Sequence, residues 1–156
     1  MTITAADLMT SPAVTVTPGT VIGEVAEMLV DRRISAMPVC RPDGSLVGII
    51  SELDVMRPFR ESVRRRRERW LGLMAEGEGL SQDFLDYLRD DTKAASDLMV
   101  RHVVTGRPGS TLAELAEMMT SHGVKRIPIV DGGRVVGIVS RSDLVRAIAT
   151  VPEVSA

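Results

Sequence analysis

The chain has 156 residues, enough for one ordinary domain or for two small units sharing a core. Hydrophobic residues make up 44% and charged residues 26%, the balance of a soluble globular protein; aromatics at 3% leave Val, Ile, Leu, Met and Ala to build the core. A net charge of −2 gives no global attraction to nucleic acid or to an anionic membrane, and a single cysteine, Cys40, excludes an internal disulfide.

The N-terminal segment MTITAADLMTSP lacks the basic start and apolar run of a signal peptide, and no apolar run approaches a membrane span. A soluble cytoplasmic protein is therefore expected. Asp7-Leu8-Met9 precedes a short strand near Val14–Val16, and Pro18-Gly19 turns the chain into an amphipathic helix. Two β-branched runs, Met37–Cys40 and Leu46–Ile50, read as a hairpin joined through Pro42-Asp43-Gly44. Cys40 reads as a small buried hydrophobe in preference to a reactive thiol. A further helix starts after Ser51.

Residues 58–94 form an insert. Phe59, Val63, Trp70 and Met74 fall on one helical face, and Arg60, Arg64, Arg65, Arg66, Arg67 and Arg69 on the other. Arg57 to Glu76 thus reads as an amphipathic helix, bent at Pro58 and broken at Gly77 and Gly79. Ser81 caps a second, acidic helix over Gln82–Asp90. The arginine run fits a solvated or salt-bridged face, an oligomer contact, an extra phosphate anchor or a nucleic-acid contact. The slightly acidic chain and the lack of interleaved aromatics weigh against nucleic acid.

After the insert the first pattern returns. Asp97-Leu98-Met99 answers Asp7-Leu8-Met9, and the halves stay in register for about fifty residues with one gap. Val14-Thr15 matches Val104-Thr105, Pro18-Gly19 matches Pro108-Gly109, and Glu24, Ala26, Glu27 and Met28 match Glu114, Ala116, Glu117 and Met118. Pro38 matches Pro128. After the gap, Gly48-Ile49, Ser51, Asp54 and Arg57 match Gly137-Ile138, Ser140, Asp143 and Arg146. The second half repeats the order: strand near Val103–Thr105, helix with Leu112, Leu115, Ala116 and Met119 on one face, then hairpin Ile127–Val130 and Val135–Val139 through Asp131-Gly132-Gly133, and a helix after Ser140. Thr111 and Glu114 form a capping box for the first of these helices. The fold class is α+β. One fifty-residue unit is too small to bury a good core, so two units are expected to pack together.

Each half carries Gly-h-h-Ser-x-x-Asp, where h is apolar: Gly48 to Asp54 and Gly137 to Asp143. Ser51 and Ser140 end a strand and open a helix. A helix start offers unpaired N–H groups and partial positive charge to a phosphate, and a carboxylate one turn in can accept both hydroxyls of a ribose. Ser-x-x-Asp is equally a capping box that needs no ligand. The glycines permit close backbone approach, by a ligand or by a packed strand.

The segments GIISELD and GIVSRSD, in this order and at this spacing, resemble the CBS domain family, and the two copies resemble the tandem CBS pair called a Bateman module, of the stand-alone bacterial type. The resemblance covers residues 5–57 and 95–149. It implies two β-α-β-β-α units packed as a pseudo-twofold pair: a first domain over 1–57, the helical insert over 58–94, a second domain over 95–150 and a tail over 151–156. It also implies that adenosine compounds (AMP, ADP, ATP or S-adenosylmethionine) bind in clefts of each repeat. Ser51, Asp54, Ser140 and Asp143 would then serve ribose and phosphate, and Val14 and Val104 would cover and read the base. The segments before the middle strands face the ligand in the family. Here they carry Ser35 and Ala36 in one half, but Lys125 and Arg126 in the other, so the second site is expected to hold phosphate more strongly. A homodimer is implied, and an effector protein of unknown identity.

No metal is expected, since His102 has no second ligand at metal spacing. No paired acid and base, phosphate loop or nucleophile triad marks an enzyme. Two other functions stay open: a structural or partner-binding module with empty pockets, and a nucleic-acid-binding regulator using the arginine helix.

Overall fold

The computed structural model describes residues 2–58 and 93–150; the expected insert helices lie outside them. In chain order the elements are α1 (Ala5–Leu8), α2 (Ile22–Arg32), β1 (Ala36–Cys40), β2 (Leu46–Ser51), α3 (its described part, 52–58), α4 (Ala95–Leu98), α5 (Leu112–His122), β3 (Arg126–Asp131), β4 (Arg134–Ser140) and α6 (Arg141–Thr150). The fold is α+β, built from two copies of one pattern.

The apolar spacing sets the helices. Ile22, Val25 and Leu29 are buried along α2 at three- and four-residue steps, and Leu115 and Met119 along α5 at a four-residue step. Thr111 caps α5 by accepting from the Glu114 N–H at 3.1 Å, half of the expected capping box. The strands pair as two antiparallel hairpins, β1 with β2 and β3 with β4. Asp131 pairs with Arg134, which leaves Gly132 and Gly133, at φ of 59° and 78°, as a two-residue turn whose positive angles match the strand twist. In the other hairpin Asp43 Oδ1 accepts from the Ser45 N–H at 2.9 Å and hydroxyl at 2.6 Å.

The strand expected at Val14–Val16 is reduced to one parallel bridge, Val16 to Val39; its counterpart is Gly106 to Ile129. The Pro38 carbonyl accepts from the Val16 N–H at 3.1 Å, and the Pro128 carbonyl from Gly106 at 3.0 Å. Each proline lends an acceptor and so can sit mid-strand despite its missing N–H.

The units are interlocked. Residues 3–10 do not pack on the repeat they precede. Ala5 donates to Ser110 O at 2.7 Å and Ala6 to Pro108 O at 3.0 Å, and Thr10 bridges Ile138 on β4. Symmetrically, Ala95 donates to Thr20 O at 2.8 Å, Ser96 to Pro18 O at 3.0 Å, and Val100 bridges Ile49 on β2. One core therefore joins Val16, Ile22, Val25, Leu29, Met37, Val39, Ile50 and Val55 to Ala95 and Met99. The other joins Leu115, Met119, Ile127, Ile129, Val139 and Leu144 to Ala5, with Met9 against it. Each repeat borrows its first segment from its twin.

This exchange explains the paired glycines. A Cβ on Gly48 would stand 2.7 Å from Met99 Sδ and 2.7 Å from the Val100 carbonyl oxygen; on Gly137 it would stand 2.5 Å from Met9 Sδ and 3.0 Å from the Thr10 carbonyl. The close approach belongs to the crossing segment. Cys40 is buried at the end of β1, and burial pushes its thiol above the ordinary range.

Candidate functional site

The helix starts are already occupied by their own side chains. The Ser51 N–H donates to Asp54 Oδ2 at 2.9 Å and the Ser51 hydroxyl to the same oxygen at 3.0 Å. The Ser140 N–H donates to Asp143 Oδ2 at 2.7 Å, and the Asp143 N–H to Ser140 Oγ at 3.2 Å. The next N–H in each turn goes to backbone: Glu52 to Ser35 O at 2.9 Å and Arg141 to Lys125 O at 2.8 Å. The expectation of unpaired N–H groups waiting for a phosphate is thus corrected at these positions. Both motifs are capping boxes, which leaves these N–H groups paired within the chain.

The remaining oxygen of each aspartate faces an arginine one turn on. Asp54 Oδ1 accepts from Arg57, and Asp143 Oδ1 from Arg146 at 3.2 Å. The Asp54 side chain is 5% exposed and that of Asp143 18%, whereas Arg57 and Arg146 are 52% and 70% exposed. The carboxylates are fixed and the arginines can swing into solvent. An ionised carboxylate has about four acceptor positions, so Asp54, which accepts three hydrogen bonds, and Asp143, which accepts two, each keep room for a further donor.

Two clefts flank the junction of the repeats, of about 610 and 550 Å³, within the range of small-ligand sites. Because the first segments are exchanged, each cleft draws on both halves. In one, Val14 and Thr10 of the first half lie with Ile138, Ser140 and Asp143 of the second. In the other, Val103 and Val104 lie with Ile49, Ser51 and Asp54. The geometry pairs Val14 with Asp143 and Val104 with Asp54, each valine with the Ser and Asp of the other repeat.

Ser35, Ala36, Lys125 and Arg126, expected in different halves, line both clefts and so form one shared wall. Arg126 is half-buried and donates to the Ser35 hydroxyl across the junction. Burial opposes its charge, Glu52 supports it, and Arg141 opposes it. The clefts differ in what surrounds this shared wall. Besides Lys125 and Arg126, the Asp143 cleft holds Arg33, Arg141 and Arg146, against Glu52 and Asp143. The Asp54 cleft holds Arg57, against Glu52 and Asp54, with His102 beside it.

Arg33 is a residue the sequence reading missed. It ends α2 with φ of 54°, left-handed backbone that its counterpart Gly123 adopts without a side-chain penalty. The signal was available: the Gly123 position in one repeat is Arg33 in the other. Among the described residues no group of three or more His, Cys, Asp or Glu could hold a metal ion, and no helix is long and apolar enough to cross a membrane.

Two hairpin-and-helix repeats, exchanging first segments around a pair of junction clefts, define a tandem-repeat α+β architecture. The model of the CBS domain matches residues 5–61 and 95–150, and the chain belongs to the CBS domain family. The uncharacterized protein MJ1426 of Methanocaldococcus jannaschii is 31% identical over 153 residues, covering 91% of this chain and 89% of its own. The CBS-pair protein CBSX2 from Arabidopsis thaliana has a similar fold, with a TM-score of 0.75 at 24% identity over 98% of this chain and 99% of that one. Its complex with AMP gives 0.72 at 24% identity over 96% and 98%. The CBS domain pair of protein MJ0100, solved with 5′-methylthioadenosine and S-adenosyl-L-methionine, gives 0.72 at 23% identity over 96% and 98%.

Proposed function

We propose that this chain is a regulatory module that binds adenosine compounds (AMP, ADP, ATP or S-adenosylmethionine) in its two junction clefts. One observation carries the reading: each cleft joins the Ser-x-x-Asp helix start of one repeat to the valine segment of the other. A ligand filling it touches both repeats, so binding biases how they sit together, which is what a sensor requires. In this reading Val14 and Val104 cover the base. Asp143 and Asp54 take the ribose hydroxyls as Arg146 and Arg57 swing outward. Lys125 and Arg126 meet phosphate, with Ser35, Ser51 and Ser140 as hydroxyl partners, and Ala36 leaves room. The AMP bound to CBSX2 and the adenosine compounds bound to MJ0100 support the ligand class. We take the domain limits from the repeat, 1–57 and 95–150, each covered by a segment of the other.

The same reading makes the output a change passed to another chain. Leu53, Met56, Val145 and Ile148 expose large apolar side chains on α3 and α6, which supports a homodimer of this module. It acts as a binding module rather than a catalyst.

Isothermal titration calorimetry with AMP, ADP, ATP and S-adenosylmethionine tests it. Binding of at least one is expected, weakened roughly tenfold or more at one cleft by Asp143→Ala, the loss of charged hydrogen bonds to ribose. Circular dichroism verifies that the variant folds, and Asp143→Asn keeps the cap. No binding of any of the four overturns the reading. Partner binding that survives both aspartate replacements favours a partner-holding module instead.

A further inference from the structure

Five residues line both clefts: Ser35, Ala36, Glu52, Lys125 and Arg126. By the repeat, Ser35-Ala36 stands where Lys125-Arg126 stands in the twin. A perfect twofold with cations at both places would give each cleft its own basic pair. This chain supplies one pair for two clefts. Arg126 lies at the junction, half-buried, with its guanidinium on the Ser35 hydroxyl of the opposite repeat. Glu52, on the shared wall, supports its charge, while burial and Arg141 act against it. A guanidinium so placed gains from an added anion on either side, but its planar fork can turn to only one at a time.

We propose that the two clefts compete for Arg126, so that an anionic ligand in one weakens anion binding in the other. This rests on the nucleotide reading above and adds how its two sites communicate. The first ligand takes the Asp143 cleft, where Arg33 and Arg141 reinforce the shared pair. Its phosphate draws Arg126 off Ser35. The Asp54 cleft is then left with Lys125 and Arg57 against Glu52 and Asp54, without the guanidinium of the shared wall. The second anion enters a cleft that has lost one of its three cations, Arg126, and keeps Lys125 and Arg57. By linkage the effect is reciprocal. An uncharged nucleoside does not need the guanidinium and escapes the competition.

Calorimetry on the full chain tests this with AMP and adenosine as probes. For AMP, the Asp54 cleft is expected to bind at least about fivefold more tightly when the Asp143 cleft is disabled by Asp143→Ala than when that cleft is filled. Arg126→Gln is expected to make the two clefts independent, and Arg126→Lys to retain the coupling in part. Adenosine is expected to show no coupling in any of these proteins. Two independent AMP sites in the native chain overturn the inference while leaving the nucleotide reading intact. So does coupling that persists in a folded Arg126→Gln protein or that is equally strong for adenosine. Failure of every adenosine compound to bind overturns both.

Discussion

At position 48 a methyl group has nowhere to go. A Cβ would press on the Met99 sulfur and on the Val100 carbonyl, and the carbonyl is held at 2.9–3.0 Å in a two-way bridge to Ile49. The sulfur can yield by rotation, but the backbone oxygen cannot. Gly48→Ala is therefore expected to destabilise the protein by about 1–3 kcal/mol, read from urea unfolding, without touching a cleft cation. Gly137→Ala meets a flexible Met9 first and a carbonyl at 3.0 Å, so the smaller loss is expected there. Asp43 makes a different kind of contribution. Hydrogen bonds from the Ser45 hydroxyl and N–H, with Arg41 and Arg134 nearby, hold its carboxyl below the usual range. A depressed folded value means stabilisation that is present above the unfolded carboxylate range, near pH 4, and lost as pH falls through the folded value. The Tm difference between the native chain and Asp43→Ala should be constant above about pH 5 and shrink as the pH falls below the ordinary carboxylate range.

Helices α2 and α5 are the same element with different ends. Their buried stripes align, but α5 starts at Thr111, whose side chain caps it, and ends at Gly123. Helix α2 starts at Val21, which has no capping oxygen, and ends at Arg33 in left-handed backbone. Val21→Thr should stabilise by about 0.5–1 kcal/mol, since Thr111 fills the same place in the twin. Arg33→Gly should stabilise by a similar amount, about 0.5–1 kcal/mol, net of the flexibility glycine adds to the unfolded chain. Differential scanning calorimetry reads both. Arg33→Gly should also weaken binding in the Asp143 cleft, more for ATP than for AMP, because it removes one of the five cations around that space. A strained end kept at the rim of a cleft is the mark of a position under a second demand. Core pairs show the same give and take. Val16 faces Val39 in one repeat and Gly106 faces Ile129 in the other, the larger partner filling the space left by glycine.

The exchange of first segments makes the pair one cooperative object. Deleting residues 2–10 removes Ala5 and Met9 from the second core, together with the backbone bonds to Ser110, Pro108 and Ile138. The expected loss is about 3 kcal/mol or more from apolar burial alone. It should appear first in the distant repeat: hydrogen exchange at Val139 in β4 should quicken well before that at Ile50 in β2. A chain of two self-contained domains would show the reverse order, the first repeat loosening first. Junction clefts built from exchanged segments also let a small ligand act on both halves at once.

The elements were legible because burial within a helix or hairpin repeats at 3.6 or 2 residues. Leu112, Leu115, Ala116 and Met119, the hairpin at Asp131-Gly132-Gly133 and the Ser-x-x-Asp caps each state their local geometry in a few adjacent residues. The duplication itself was legible from order alone, and with it the family and the α+β class. What the sequence could not say is which copy covers which. Ala5 and Ala95 are the same residue, as are Met9 and Met99, so both pairings satisfy the same pattern and only the packed chain chooses between them. That choice decided the rest. It gave the paired glycines their purpose, set Val14 opposite Asp143 instead of Asp54, and brought Lys125 and Arg126 to a wall that both clefts share.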